Sequence, residues 1–292
     1  MSRRRSLEQH RHSLAEIREI MHSMKTLAYM ETRKLARFLE AQQQVVRSIE
    51  TAATDLLDFY PEILPQSIDS NPVYLLIGSE RGFCGDYNHV LLNRLNELTG
   101  EVQREARVIA VGHKLCTLMD EDPRVIRALD GAGIAEEVIP LLNNLVKELS
   151  QLQQSQETLS LICLYHNSPE QVGVQFLLPP FQSLSAREEP SSSQLAPLLH
   201  MEPQEFLLQL TQHYLLASLH EVLYTSLMAE NHHRVAHLEG AVKHLDDESD
   251  ELARACNGLR QEEITEEIEV ILLSSENLFR DIGDVQQRDV KP

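Results

Sequence analysis

The sequence predicts an α+β fold: two long terminal helices wound into a coiled coil, with an α/β domain inserted between them. Three observations predict it. Apolar residues recur every seven positions at both chain ends, the middle alternates short apolar runs with helical spacing, and prolines mark the borders. A 3.5-residue period held this long keeps one stripe on one side of a helix and drives left-handed supercoiling. Wrapping the two helices around each other is the simplest way to hide both stripes, and it makes a long stiff rod with a body attached at one end.

The first helix is expected from Ser6 to Phe59 within a segment of residues 1–60. One series in it reads Leu7, Leu14, Met21, Ala28, Leu35, Gln42, Ile49, Leu56, and its companion reads His10, Ile17, Met24, Glu31, Phe38, Val45, Ala52, Phe59. Ser6 with Gln9 three residues on has the capping-box arrangement, and Pro61 and Pro65 end the run. At 1.5 Å per residue the helix would be about 80 Å long.

Residues 70–200 change character. Val73 to Ile77 reads as a buried strand closed by Gly78, Val90 to Leu98 as a helix, and Val108 to Val111 as a second strand ended by Gly112. Helices are expected from His113 to Met119 and from Ala135 to Gln154, and strands from Leu159 to Tyr165 and Val172 to Leu178. Alternating strands and helices imply a largely parallel, Rossmann-like sheet. The Ser-, Pro- and Glu-rich stretch from Phe181 to Pro197 reads as an exposed loop. Pro203 opens the last helix at a first-turn position, and residues 203–275 carry the second stripe. Its two series read Leu207, Tyr214, Glu221, Met228, Val235, Val242, Ser249, Cys256 and Leu210, Ala217, Tyr224, Asn231, Leu238, Leu245, Leu252, Leu259. The helix is expected to end near Ser274, leaving a polar tail at 276–292 that frays.

Composition narrows the function. Apolar residues are 42% of the 292, aromatics only 5%, and Trp is absent, which suits the thin core of a rod. The net charge of -19 argues against a nucleic-acid partner, since phosphate binding needs a basic surface. Residues 1–50 hold ten Lys or Arg against six Asp or Glu, and residues 201–292 hold seven against nineteen, so the two helices attract across their flanks. Cys84, Cys116, Cys163 and Cys256 form no CxxC pair and suggest neither a disulfide framework nor a zinc site. No run approaches 18 apolar residues, and the basic start MSRRRSLEQH lacks the apolar stretch of a secretory signal. A mitochondrial transit peptide is not expected either.

Several motifs invite chemistry. The turn Gly78–Gly85 resembles a phosphate loop, but Phe83 and Cys84 stand where GxxxxGK[ST] needs Lys and a hydroxyl, and GxGxxG is absent. A tight strand-to-helix turn is the better reading. Cys84 is a candidate nucleophile near Arg81 and His89, against the reading of a buried structural thiol. His233 and His237 share a helix face at zinc-ligand spacing, but solvated or seam-flanking histidines are the commoner case. Glu31, Gln42, Glu221, Asn231 and Ser249 interrupt the stripes, either to set register or to mark where the helices diverge toward partner chains.

Ser79-Glu80-Arg81-Gly82-Phe83-Cys84-Gly85-Asp86-Tyr87-Asn88 resembles the turn of the gamma subunit of F-type ATP synthases, the central stalk of a rotary motor. Ile20-Met21-His22-Ser23-Met24, Val111-Gly112-His113-Lys114 and Arg260-Gln261-Glu262-Glu263-Ile264-Thr265-Glu266-Glu267-Ile268 resemble further family motifs, in family order. The resemblance implies an antiparallel coiled coil inside a ring of alternating alpha and beta subunits. It implies a foot domain touching the epsilon subunit and the membrane ring of c subunits. Rotation would then couple proton or sodium flow to ATP synthesis or hydrolysis, with the chain peripheral to the cytoplasmic face of a bacterial inner membrane. No catalytic residue, cofactor or metal is implied. Met24, Arg260, Gln261 and Thr265 would contact the beta subunit, and Ile264, Ile268, Ile271 and Leu272 would form an apolar upper bearing. Arg81, Gly82, Cys84, Gly85 and Asn88 would form the motif turn.

Departures point to a divergent branch, with the N-type ATPase of some bacteria as the candidate. His22 replaces a usual Lys, Val235 and Leu238 replace two Met, and Ile271-Leu272-Leu273-Ser274-Ser275-Glu276 replaces a small-residue ending. A free-standing scaffold would explain the heptads but not the motifs, and a small α/β enzyme lacks a catalytic constellation.

Overall fold

The computed structural model describes residues 3–64, 72–100, 106–154, 160–182 and 198–288, with side chains through 273. In chain order the elements are α1 (Arg3–Phe59), β1 (Val73–Ile77), α2 (Tyr87–Thr99), β2 (Arg107–Val111), α3 (His113–Leu118), β3 (Val125–Leu129), α4 (Val138–Gln154), β4 (Leu161–Ser168), β5 (Gln171–Leu178) and α5 (Pro203–Arg288). The chain divides into two compact units, residues 1–24 with 238–292, and residues 25–237.

In the unit of residues 25–237 the strands lie in the order β3-β2-β1-β4-β5, all parallel except β5, which returns antiparallel beside β4. That is the order of dinucleotide-binding α/β sheets. Tyr74, Leu76, Val108, Ala110 and Leu164 pack one face against Leu91 and Leu95 of α2 and Leu115 of α3. Val73, Leu75, Ile109, Leu161 and Cys163 pack the other face against α4, Leu35 of α1 and the α5 stretch Leu219–Leu227. α1 and α5 also pair directly. Val46, Ala53, Leu56 and Leu57 meet Leu207, Leu210, Tyr214 and Ala217, and Gln42 donates through Nε2 to the Ala217 carbonyl at 3.2 Å.

In the unit of residues 1–24 and 238–292, Leu14, Leu238, Val242 and Cys256 are buried. Arg4 pairs with Glu263 at 3.3 Å, His10 lies 4.0 Å from Glu248, and Arg18 pairs with Asp246. The pairings run antiparallel and put basic side chains of α1 against acidic ones of α5, as the charge distribution implies.

Several expectations need correction. Ser6 lies inside α1, which already begins at Arg3, so it caps nothing. The α5 stripes are buried or half-buried along their length, but on α1 the companion series is displaced by one residue. Ile17, Phe38 and Val45 are exposed, while Thr32, Leu39, Val46 and Ala53 face inward. Two of the inward positions carry small or polar groups, which weakens the periodic apolar signal. Thr32 satisfies its hydroxyl on the Tyr29 carbonyl at 2.7 Å, and Ala53 adds little apolar signal. β3 was not foreseen: it is a five-residue edge strand interrupted by Arg127, with no fully buried position. A short 3-10 turn, Ala135–Glu137, precedes α4. α5 continues past Ser274 to Arg288. Of the expected loop from Phe181, residues 183–197 lie outside the described set, and Phe181 itself is buried against Tyr214 with ring centroids 4.7 Å apart.

Candidate functional site

The motif turn leaves the C-terminal end of β1, where a doubly wound sheet usually receives its ligand. Gly78 opens it. A Cβ there would lie 2.4 Å from the Leu115 Cβ and 2.8 Å from Asn88 Oδ1, so only glycine lets α2 and α3 approach this closely. Asn88 closes the turn, accepting from the Ser79 N–H at 3.0 Å and donating to the Ser79 hydroxyl at 2.9 Å. Two left-handed residues bend the chain between these anchors, Phe83 at φ 63° and Gly85 at φ 62°. Glu80 ties in the neighbouring loops by accepting from the His113 N–H at 2.8 Å and the Gly131 N–H at 2.7 Å.

α5 fills the space over this turn. Glu230 and Arg234, one helical turn apart, form an ion pair whose side chains are 3% and 5% exposed. The Glu230 carboxylate accepts from the backbone N–H groups of Glu80 at 3.1 Å and Arg81 at 3.2 Å. Arg234 donates to the Gly82 carbonyl at 3.2 Å, to Asn231 Oδ1 at 2.8 Å and to Cys84 Sγ at 3.4 Å. Tyr87, fully buried, donates its hydroxyl to the Ser226 carbonyl at 3.0 Å, and the Ser226 hydroxyl reaches the Ile77 carbonyl at 3.3 Å. Backbone N–H groups after the first strand are where such sheets cradle a phosphate. Here a carboxylate of the chain itself occupies them, so the turn works as a fastener between sheet and helix.

Electrostatics agree. Burial pushes the Cys84 thiol up to about 12, the Glu230 charge adds to this, and Arg234 works against it. The nucleophile needs a thiolate, and Cys84 is held as a thiol. Burial also pushes the Glu230 carboxyl up, while Arg234 and the two N–H donors oppose that.

Arg81, Gly82, Cys84, Gly85 and Asn88 thus come together in one place. The stripe interruptions gain roles as well. Asn231 holds Arg234, and Glu31 of α1 accepts from the Ala135 N–H at 2.7 Å, with Lys34 paired to Glu136 beside it. Glu221 is half-buried, its carboxyl raised by burial and by Glu50 against Arg47. Nothing in the structure explains Ser249. Met24 is half-buried, and Arg260, Gln261, Thr265, Ile264, Ile268, Ile271 and Leu272 are exposed along α5. They do not converge on a site. His233 contacts the Pro169 carbonyl through Nε2, and among the described residues no three His, Cys, Asp or Glu side chains are placed to hold a metal. His166, on β4, was missed. It occupies a buried slot of the strand's alternation, and a histidine at such a slot is the signal that could have found it.

A family model described as ATP synthase matches residues 3–278. The chain belongs to that family. Its relatives there include the ATP synthase gamma chain of Caldanaerobacter subterraneus subsp. tengcongensis, 23% identical over 290 residues, covering 88% of this chain and 93% of that one. The ATP synthase gamma chain of Clostridium botulinum (strain Langeland) is 26% identical over 282 residues, covering 90% and 94%. Among solved structures, a chain of the Euglena gracilis mitochondrial ATP synthase (OSCP/F1/c-ring, rotational state 3) matches with TM-score 0.64 at 15% identity over 94% of each chain. A chain of the Tetrahymena thermophila mitochondrial ATP synthase central stalk/c-ring matches with TM-score 0.53 at 15% identity, over 76% of this chain and 99% of that one. These likenesses show the fold. No helix among the described residues is long and apolar enough to cross a membrane.

Proposed function

We propose that the chain is the central-stalk rotor of an F-type ATP synthase, carrying rotation between a membrane c ring and a catalytic ring of alpha and beta subunits. Ion translocation is thereby coupled to ATP synthesis or hydrolysis, with the assembly peripheral to the cytoplasmic face of a bacterial inner membrane. The observation that carries this reading is the family match over residues 3–278, which includes both terminal helices and the sheet between them. A stalk must pass torque from its foot to its helices. The buried interlock of Glu230 and Arg234 with the motif turn provides that fastening, and Glu31 provides another through α1. A partner shifts a conformational equilibrium only by its differential affinity for the states, and an asymmetric shaft in a threefold ring supplies such differences to each beta subunit.

In this reading Met24, Arg260, Gln261 and Thr265 meet the beta subunit, while Ile264, Ile268, Ile271 and Leu272 bear on the ring. Their exposure, with Ile268 at 52% and Ile271 at 64%, supports a surface waiting for a collar. The epsilon subunit and the c ring are assigned to the sheet domain, and the sequence departures favour an N-type branch. The experiment is co-purification. Tagged chain expressed with its alpha and beta subunits recovers both, with ATP hydrolysis. Recovery of the chain alone, with alpha and beta folded in the same lysate, overturns the proposal.

A further inference from the structure

We propose that the stack of Tyr87, His166 and His233 is an acid-sensitive catch, opened when His166 takes up a proton, that releases the motif turn from α5. The inference goes beyond the stalk reading and stands without it.

His166 is 1% exposed, and its ring lies 3.9 Å from that of Tyr87 at an interplanar angle of 23°. His233 of α5 meets it edge-on at 5.5 Å and meets Tyr87 at 5.3 Å. His166 Nε2 is 2.9 Å from the Tyr87 carbonyl. A carbonyl only accepts, so Nε2 carries the hydrogen and Nδ1 holds the lone pair. Nδ1 has no hydrogen-bond partner among the described residues. A second proton must therefore go to Nδ1, creating a buried cation whose new N–H has nothing to donate to, an arrangement that costs free energy. The groups facing the ring are Tyr87 and Asp86 at the start of α2 and His233 on α5. Beyond Tyr87 lie Cys84, Glu230 and Arg234. Asp86 favours the proton and His233 opposes it, and burial outweighs both, holding the His166 imidazole below its ordinary range. Relief comes when the ring leaves the stack. Tyr87 then loses its carbonyl partner, and its hydroxyl is what holds Ser226 of α5.

The sign follows from linkage. A histidine whose folded pKa lies below its unfolded value stabilises the closed state fully above about pH 6.5, and that stability is lost as pH falls below it. One proton gives at most about a tenfold change in the opening equilibrium per pH unit, so with an opened-state midpoint of about 6.5 a drop from pH 7.5 to 5.5 raises opening by up to about tenfold.

Amide exchange at residues 79–88 of the full chain, normalised for intrinsic rates, tests this at pH 7.5 and 5.5. Protection is expected to fall severalfold, up to about tenfold. In His166→Gln, which keeps an N–H for the Tyr87 carbonyl but has no site for a proton, it stays flat. The midpoint of His166 by NMR in the unmodified chain provides a second reading, independent of how the variant folds, and is expected below the ordinary histidine value of about 6.5. Equal protection at the two pH values, the same loss in His166→Gln, or a His166 midpoint at or above about 6.5 would each overturn the proposal.

Discussion

Glu230→Ala tests the interlock where the structure says it is strongest. Removing the carboxylate leaves the Arg234 guanidinium, 5% exposed, without its counter-charge, and leaves the N–H groups of Glu80 and Arg81 without their acceptor. Breaking a buried ion pair from one side costs about 3–5 kcal/mol. A buried donor left unsatisfied costs about 1–3 kcal/mol. The groups share one network, so these losses overlap rather than add, and about 4 kcal/mol is the expected total. That corresponds to roughly a thousandfold increase in local opening. Because the chain has two compact units, a single melting temperature would mix their transitions. Amide exchange at residues 79–88 reads the opening directly. The double variant Glu230→Met with Arg234→Met removes both charges, leaves the two N–H groups, the Gly82 carbonyl and Asn231 Oδ1 without these partners, and regains about 1 kcal/mol over the single change. A cost below about 1 kcal/mol for Glu230→Ala, or a double variant no better than the single, would refute the reasoning.

Other outcomes follow from the same geometry. Gly78→Ala drives a methyl to 2.4 Å from the Leu115 Cβ, and is expected to cost at least about 3 kcal/mol or abolish folding, read by the loss of tyrosine near-ultraviolet dichroism. Cys84, its thiol pushed up to about 12 by burial, is expected to react with iodoacetamide at pH 8 more than about a thousandfold slower in the folded chain than in urea. Arg260→Ala, at an exposed position, is expected to leave the isolated chain's stability within about 0.5 kcal/mol. It is expected to lower coupled turnover in the assembled enzyme about fivefold, the effect of one contact worth about 1 kcal/mol; unchanged turnover removes the contact assigned to it.

The helix pair and the sheet were readable because burial repeats at the period of each element. Both α5 series face inward, and Val73–Ile77 is buried along its whole length. The α1 companion series was not readable, because a stripe of Thr32, Val46 and Ala53 carries less apolar signal than the exposed Phe38 and Val45 beside it. β3 hid for a similar reason, as at the sheet edge Val125, Ile126 and Leu129 are only half-buried and Arg127 and Ala128 are exposed. The motif turn was visible as residues, but its role was not. Glu230 stands about 150 positions from the N–H groups it accepts from, and no local spacing announces such a pairing. Asn231 and Glu31 looked like register-setting polarity on a stripe. The fold shows Glu31 fastening α1 to the Ala135 N–H at the entry to α4, and Asn231 orienting Arg234 on its own helix.

Rotation is the most direct test of the whole account. With alpha and beta subunits fixed to a surface and a probe on the sheet domain of this chain, ATP should drive stepwise turning in one sense. Glu230→Ala should weaken the turning under load. A probe that stays still on an assembly that hydrolyses ATP at full rate would contradict the claim that this chain is the shaft.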